Sequence, residues 1–200
     1  MSSKNKHCVE IVYLTVTDVY HADPNISQPA LSVITTIPGM VTGYSGLDIA
    51  DKYTWILFQE WESFEHHQAF MDDKPTYSQL LNAMGKFTNG YKILHVNFNM
   101  DPNPALLSTF TQMLVLKLED VAKKQLIVDE IVALLTGSES SNSIHSWAFG
   151  DVNETGDETL ILVGWETPQI IPDVEYITET LRPFSLMKIE TRTTALTAFI

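Results

Sequence analysis

Hydrophobic and polar positions along this chain follow two patterns, and each pattern occurs twice. Near-continuous apolar runs of strand length at 8–16, 55–61, 111–118 and 158–165 predict strands covered on both faces. The stretch 55–71, Trp-Ile-Leu-Phe-Gln-Glu-Trp-Glu-Ser-Phe-Glu-His-His-Gln-Ala-Phe-Met, predicts a strand to Trp61 and a corner at Glu62 and Ser63. A helix follows from Phe64, with Ser63 in the N-cap position. The same move recurs at 160–167, Leu-Ile-Leu-Val-Gly-Trp-Glu-Thr, before a helical stretch broken by proline. Trp61 and Trp165 lie 104 positions apart in 200, and the same offset lays 9–14 on 113–118. The pattern predicts a tandem duplication with halves at 1–104 and 105–200.

Each half reads β-α-β-β-α-β. The first half has a strand at 8–16, a loop at 18–28, a helix opened by Pro29 and ended by Pro38-Gly39, and a strand at 42–49. The central strand and its helix follow, then an interruption at 72–75, a further helical stretch at 78–86 and a strand at 91–100. After a linker at 101–104, the second half has a strand at 111–118 and an amphipathic helix at 119–135 stopped by Gly137. A polar loop at 138–142, a hairpin of 144–149 with 158–165, a helix at 172–181 and a strand at 186–194 complete it. The expected fold is α+β: two ferredoxin-like repeats packed sheet to sheet as an intramolecular dimeric-type α+β barrel. Sheets packed in this way enclose an apolar cavity of a size for a small ligand.

Charge narrows the partners. With 12 basic against 25 acidic residues the formal charge is −13, and no basic stripe offers itself to nucleic acid or an anionic membrane. Cys8 is the only cysteine, so neither an internal disulfide nor a cysteine-based zinc site is available. Residues 1–7 are polar, without the pattern of a signal peptide, and no apolar run reaches the ~18–20 residues that span a bilayer. A soluble cytoplasmic protein is expected, as a monomer with fused halves or a weak homodimer.

The segment Phe-Gln-Glu-Trp61-Glu-Ser-Phe-Glu-His-His-Gln-Ala-Phe70 resembles the signature of the antibiotic-biosynthesis-monooxygenase domains of the dimeric α+β barrel superfamily. The resemblance covers 8–100 clearly and 111–195 weakly. It implies the barrel, with the Trp61 side as the cavity side. It also implies a range of chemistries, from cofactor-free quinol and anthrone oxygenation through haem degradation and cyclisation to stress proteins. The chain departs from the family pattern at its polar positions. The Glu two residues before the tryptophan falls on Gln59 and on Val163, and the helix His falls on Phe70 and on Val174.

Trp55, Leu57, Gln59 and Trp61 alternate onto one face of the central strand. On the first strand Val9, Ile11 and Tyr13 share one face, while Cys8, Val12 and Leu14 share the other, interrupted by Glu10. Tyr91, Ile93, His95 and Asn97 share a face of the strand at 91–100, opposite Leu94, Val96 and Phe98. His95, Tyr13 and Trp61 are the candidate catalytic residues, with His95 or Tyr13 moving a proton in cyclisation, isomerisation or oxygenation. Trp55, Gln59, Leu57, Asn97, Tyr91, His145 and Trp147 are the candidate substrate contacts, the last two from the second-half hairpin. A lining of Trp61, Tyr13, Trp55 and His95 is expected for the cavity.

The plainer alternative is an aromatic-filled core and an edge-strand histidine. His66 and His67 point ~100° apart on their helix and cannot share a site. Glu62 can approach His66, but no third ligand lies nearby, so no metal is expected. Glycine-rich phosphate loops, nucleophile elbows and zinc-protease helices are absent from the sequence, so no cofactor is expected. The preferred reading is a cofactor-independent enzyme acting on a small hydrophobic metabolite of aromatic, polyketide or terpenoid-like type. The alternative is a non-catalytic ligand-binding or stress-type barrel. Gly164, Pro168, Pro172 and Val174 place any working site mainly in the first half.

Overall fold

The computed structural model describes residues 7–137, 144–167, 171, 174–182 and 186–200. The chain divides into two compact units, Met1–His95 with Thr197–Ile200, and Val96–Leu196.

In the first unit the apolar runs become β1 (His7–Val16), β2 (Met40–Leu47), β3 (Thr54–Trp61) and β4 (Thr88–Phe98). Between them lie α1 (Asp18–Ala22), α2 (Gln28–Ile34), α3 (Phe64–Asp72) and α4 (Lys74–Met84). The antiparallel strand order is β4-β1-β3-β2, the order of a ferredoxin-like unit. Register between β1 and β3 sets Cys8 opposite Trp61, Glu10 opposite Gln59 and Leu14 opposite Trp55. One face of this sheet is sealed by helices: Val12, Leu14, Trp55, Leu57 and Trp61 pack with Leu31 and Ile34 of α2, Phe70 of α3, Leu80 of α4, and Phe87.

Two local readings are corrected. Residues 18–28, expected as loop, hold α1 and a 3-10 turn at Pro24–Ser27, where the Asp23 carboxylate accepts from the Asn25 amide at 3.1 Å. The interruption at 72–75 shrinks to Asp73, which caps α4 by accepting from the Thr76 amide and from its hydroxyl at 2.5 Å. Pro75 sits in the first turn of α4, where its missing N–H has no partner to lose. A proline that looked like a breaker is a helix start.

The second unit holds α5 (Asn103–Leu106), β5 (Phe110–Leu118), α6 (Lys124–Gly137), β6 (Ile144–Val152), β7 (Glu158–Trp165), α7 (Val174–Leu181) and β8 (Leu186–Thr194). Its order is β8-β5-β7-β6, and the last residues of β4 continue it, with Val96 opposite Val152 and Phe98 opposite Gly150. The compact units part at 95/96. Residues 101–104, expected as linker, run into α5. Leu114, Leu116, Ile161, Val163 and Trp165 form the core with Ile127, Val128 and Ile131 of α6. The chain then returns to the first unit as β9 (Thr197–Ala198), paired with Tyr44 and Ser45 of β2. The loop at 138–142 and residues Pro168 and Pro172 lie outside the described residues.

The halves match down to an irregularity. The ladder of β2 with β3 shifts between Met40 and Thr42, and that of β6 with β7 between Ile144 and Ser146, so the offset of 104 holds there. The first strands differ: Trp61 faces Cys8 while Trp165 faces Phe110, so β1 and β5 correspond at 102 rather than 104. Val9 therefore matches Thr111 and Glu10 matches Gln112. A slip of two keeps every side chain on its own face, which is why the pattern concealed it. No helix among the described residues is long and apolar enough to cross a membrane.

Candidate functional site

Glu10 is the one charge in the apolar core of β1, and its parity places it with Val12 and Leu14 on the helix-covered face. It is 5% exposed. The Trp61 indole Nε1 donates to Glu10 Oε2 at 3.2 Å. From α3, His67 turns inward and is 2% exposed, while its neighbour His66 turns out towards Ser63 and Glu62. His67 Nε2 lies 3.3 Å from Glu10 Oε2, and His67 Nδ1 lies 2.9 Å from His95 Nε2. Burial, and secondly the neighbouring His95, lower the His67 pKa to about 4, so this ring is neutral near pH 7.

A neutral imidazole has one N–H, so His67 can donate to Glu10 or to His95 but not to both. Trp61 and Phe70 stack at 6.0 Å, and the His67 ring lies 5.0 Å from Trp61, so the cluster is walled by aromatics. Phe64 meets the His95 ring edge-on at 5.3 Å and is itself 41% exposed.

Beside this cluster a cavity lies between the sheet and α3 and α4. Glu10, Gln59 and His67 form its polar end, and Val12, Leu14, Ile34, Leu57, Phe70, Leu80 and Met84 its apolar body. Leu81, Tyr77, Tyr91 and Ile93 complete the lining, and the exposed Leu81 and Tyr91 mark its mouth. Burial raises the Tyr77 phenol pKa, helped by the nearby Tyr91 and Glu10. Space for the centres of water-sized molecules is ≈ 30 Å³. That accommodates two or three waters at the usual ~10–15 Å³ each, so a tricyclic ligand requires side chains at the mouth to move.

The structure distributes the sequence candidates unevenly. Trp61 and His95 join the cluster, and Gln59, Leu57 and Tyr91 line the cavity. Trp55 is core, packed on Tyr20 and Phe87 at 5.3 and 5.9 Å. Tyr13 projects from the opposite face of β1, its ring 6.0 Å from the Lys92 ammonium, so it does not meet His95 and Trp61. Asn97 belongs to the second unit and donates to Asn153 Oδ1 at 2.7 Å. Trp147 stacks on Phe149 at 6.1 Å, and the side chain of His145 lies outside the described residues. The cavity opens on the helix-covered face of the first sheet, whereas the sequence reading placed it on the open face.

Glu10 and His67 were missed. In the sequence Glu10 reads as an interruption of an apolar face, although a lone charge in a doubly apolar strand is itself a signal. His67 enters the sequence reading only as a neighbour that cannot share a site with His66. It lies three positions from both Phe64 and Phe70, along the side of the helix that meets Trp61.

Glu10, His67 and His95 offer three ligand atoms within 4.8 Å of one another. The His67 ring, however, engages its two partners through opposite nitrogens. One ion can use only one of them, and the Trp61 N–H already points at Glu10 Oε2. The arrangement suits a hydrogen-bonded chain better than a single metal centre. In the second unit Gln112 stands for Glu10 and Val163 for Gln59. By the 104 offset Ile171 stands for His67. Trp165 Nε1 is buried with no hydrogen-bond partner among the described residues.

No family model and no curated protein matches the chain. Solved structures do. An anthrone oxidase-like protein aligns at TM-score 0.70 and 12% identity, over 98% of this chain and 94% of its own. A candidate monooxygenase of Fusobacterium nucleatum aligns at TM-score 0.66 and 8% identity, over 96% and 94%. A candidate monooxygenase of Lactobacillus acidophilus NCFM aligns at 0.61 and 12%, over 96% and 95%. At such identities the likeness establishes the fold alone, an α+β arrangement built on antiparallel strands.

Proposed function

We propose that this protein is a cofactor-independent acid–base enzyme acting on a small hydrophobic, aromatic or polyketide-like metabolite. One observation carries the reading: a buried carboxylate–imidazole pair, Glu10 and His67, lines the polar end of a mostly apolar cavity. The apolar walls bind the ring system of the ligand, and Gln59 and Tyr77 orient its polar edge. Glu10 removes a proton from an activated C–H or O–H, with the Trp61 N–H and the neighbouring His67 ring steadying the carboxylate. The resulting carbanion or oxyanion is reprotonated elsewhere, closes a ring, or passes electrons to dioxygen. Similarity to an anthrone oxidase-like protein favours the last branch.

A panel of anthrone, a naphthohydroquinone and a β-diketone tests this. Under argon in D₂O, wild-type protein accelerates deuterium exchange at the acidic carbon of at least one probe, and in air it consumes dioxygen with it. Glu10→Gln slows both by about 100-fold or more. No acceleration with any probe, or equal rates in Glu10→Gln, removes the enzyme reading. The second reading, a non-catalytic ligand-binding barrel, is favoured by the small cavity volume, and that result would leave it standing.

A further inference from the structure

Every polar group that lines the cavity of the first unit is an acid or a neutral group. Glu10 and Gln59 stand opposite each other in the β1–β3 ladder, and His67 and Tyr77 reach the same space from α3 and α4. Burial holds the His67 ring neutral near pH 7. Burial, then Tyr91 and Glu10, raise the Tyr77 phenol, which keeps its proton. No lysine or arginine lines the cavity among the described residues. Two lysines beside its walls turn elsewhere. Lys74 Nζ donates to the Met71 carbonyl at 3.0 Å, and Lys92, next to Tyr91, lies over the Tyr13 ring on the opposite face of the sheet. A formal charge of −13 adds no long-range pull on an anion. We infer that the cavity accepts neutral aromatic ligands bearing a hydroxyl and rejects their carboxylate counterparts, with Glu10 as the residue that decides between them.

A ligand hydroxyl can donate to the Glu10 carboxylate and accept from the Gln59 amide or the Tyr77 phenol, so hydrogen bonds offset its burial. A carboxylate in the same place is a second buried acid beside Glu10, with no cation to balance it. The site thus repels one class of ligand as well as attracting the other. The apolar walls serve both classes equally and do not distinguish them. Glu10→Gln removes the charge and keeps a side chain of nearly the same shape, with an acceptor oxygen and a new donor. This deepens the acid–base reading of the site and rests on it in placing the ligand in this cavity.

Titration of the whole protein with p-cresol and with p-toluate, followed by NMR at about pH 7.5, tests the inference, since the first probe is then neutral and the second anionic. In wild type p-cresol should shift the ring resonances of His67 and Tyr77, and p-toluate should bind at least about tenfold more weakly. Glu10→Gln should shrink that ratio by about tenfold. Leu81→Lys, at the exposed mouth and with no demand on the core, should tighten p-toluate about two- to fivefold and leave p-cresol unchanged. Equal affinities in wild type, a ratio unchanged in folded Glu10→Gln, a p-toluate affinity unmoved by Leu81→Lys, or no shift of those rings with either probe overturns the inference. Turnover plays no part in the readout. A protein that discriminates but turns nothing over keeps this inference and loses the enzyme reading. One that is active yet binds both probes equally does the reverse.

Discussion

Trp61 and Trp165 occupy equivalent places at the ends of β3 and β7, both almost fully buried, yet differ in one contact. The Trp61 indole donates to Glu10, whereas the Trp165 indole has no acceptor among the described residues. A buried donor without a partner costs about 1–3 kcal/mol, and a broken bond to a buried carboxylate costs a similar amount. Trp61→Phe should therefore destabilise the first unit by about 1–3 kcal/mol in urea denaturation, while Trp165→Phe should be neutral or stabilising. Equal losses would mean that the Glu10 contact contributes nothing.

His67 gives a pH dependence at the same scale. Unfolded, this side chain takes up a proton near its ordinary 6.5, whereas folded it resists protonation down to about 4. Between those values the unfolded chain binds more protons. The contribution is complete above about pH 6.5 and is lost as pH falls towards 4, up to about 3 kcal/mol in all. Urea midpoints from pH 4 to 7 should fall more steeply for wild type than for His67→Gln.

Helix-start chemistry explains most element-level differences from the sequence reading. Asp23-Pro24 and Asp73-Lys-Pro75 combine a capping carboxylate with a proline in the first turn, and each pair starts a helical segment. The corner from β3 through Ser63 into α3 was legible, because an apolar run, a hydroxyl residue and a helical stripe follow one another locally. Gly164 in β7 shows an element constraint of another kind. A Cβ there would lie 2.0 Å from Ser108 Oγ and 3.1 Å from the Ala105 Cα, and Ser108 Oγ is already bonded to the Pro104 carbonyl. Gly164→Ala should push α5 off the sheet and cost about 1–3 kcal/mol, seen as a lowered melting temperature. An unchanged melting temperature would show that α5 yields freely.

At the scale of the whole molecule the first unit is discontinuous in sequence: 197–200 return to it after the second unit is complete. Phe199 donates its amide to the Gly43 carbonyl at 2.9 Å, and its ring packs against the first core, where a Cβ on Gly43 would collide with it. Deleting 197–200 should speed amide exchange in β2 and leave β5 and β7 unchanged, as read by hydrogen–deuterium exchange. Uniform changes across both units would contradict that division.

The sequence by itself determined the order of the strands β1 to β8, most of the helices between them, and the division of each strand into two faces. Those properties follow from local periodicity. It placed Gln59, Leu57 and Trp61 together for that reason, and Tyr91 with His95. It could not say which face of a doubly apolar strand meets the helices, because parity separates the faces without ranking them. It also could not unite Glu10, His67 and His95, which belong to β1, α3 and β4 and are adjacent only once the sheet and its helices have packed. Tertiary structure made that choice. Burying a carboxylate is tolerable only where polar groups surround it; on the helix-covered face the Trp61 indole donates to Glu10, and His67 Nε2 lies 3.3 Å from the same oxygen.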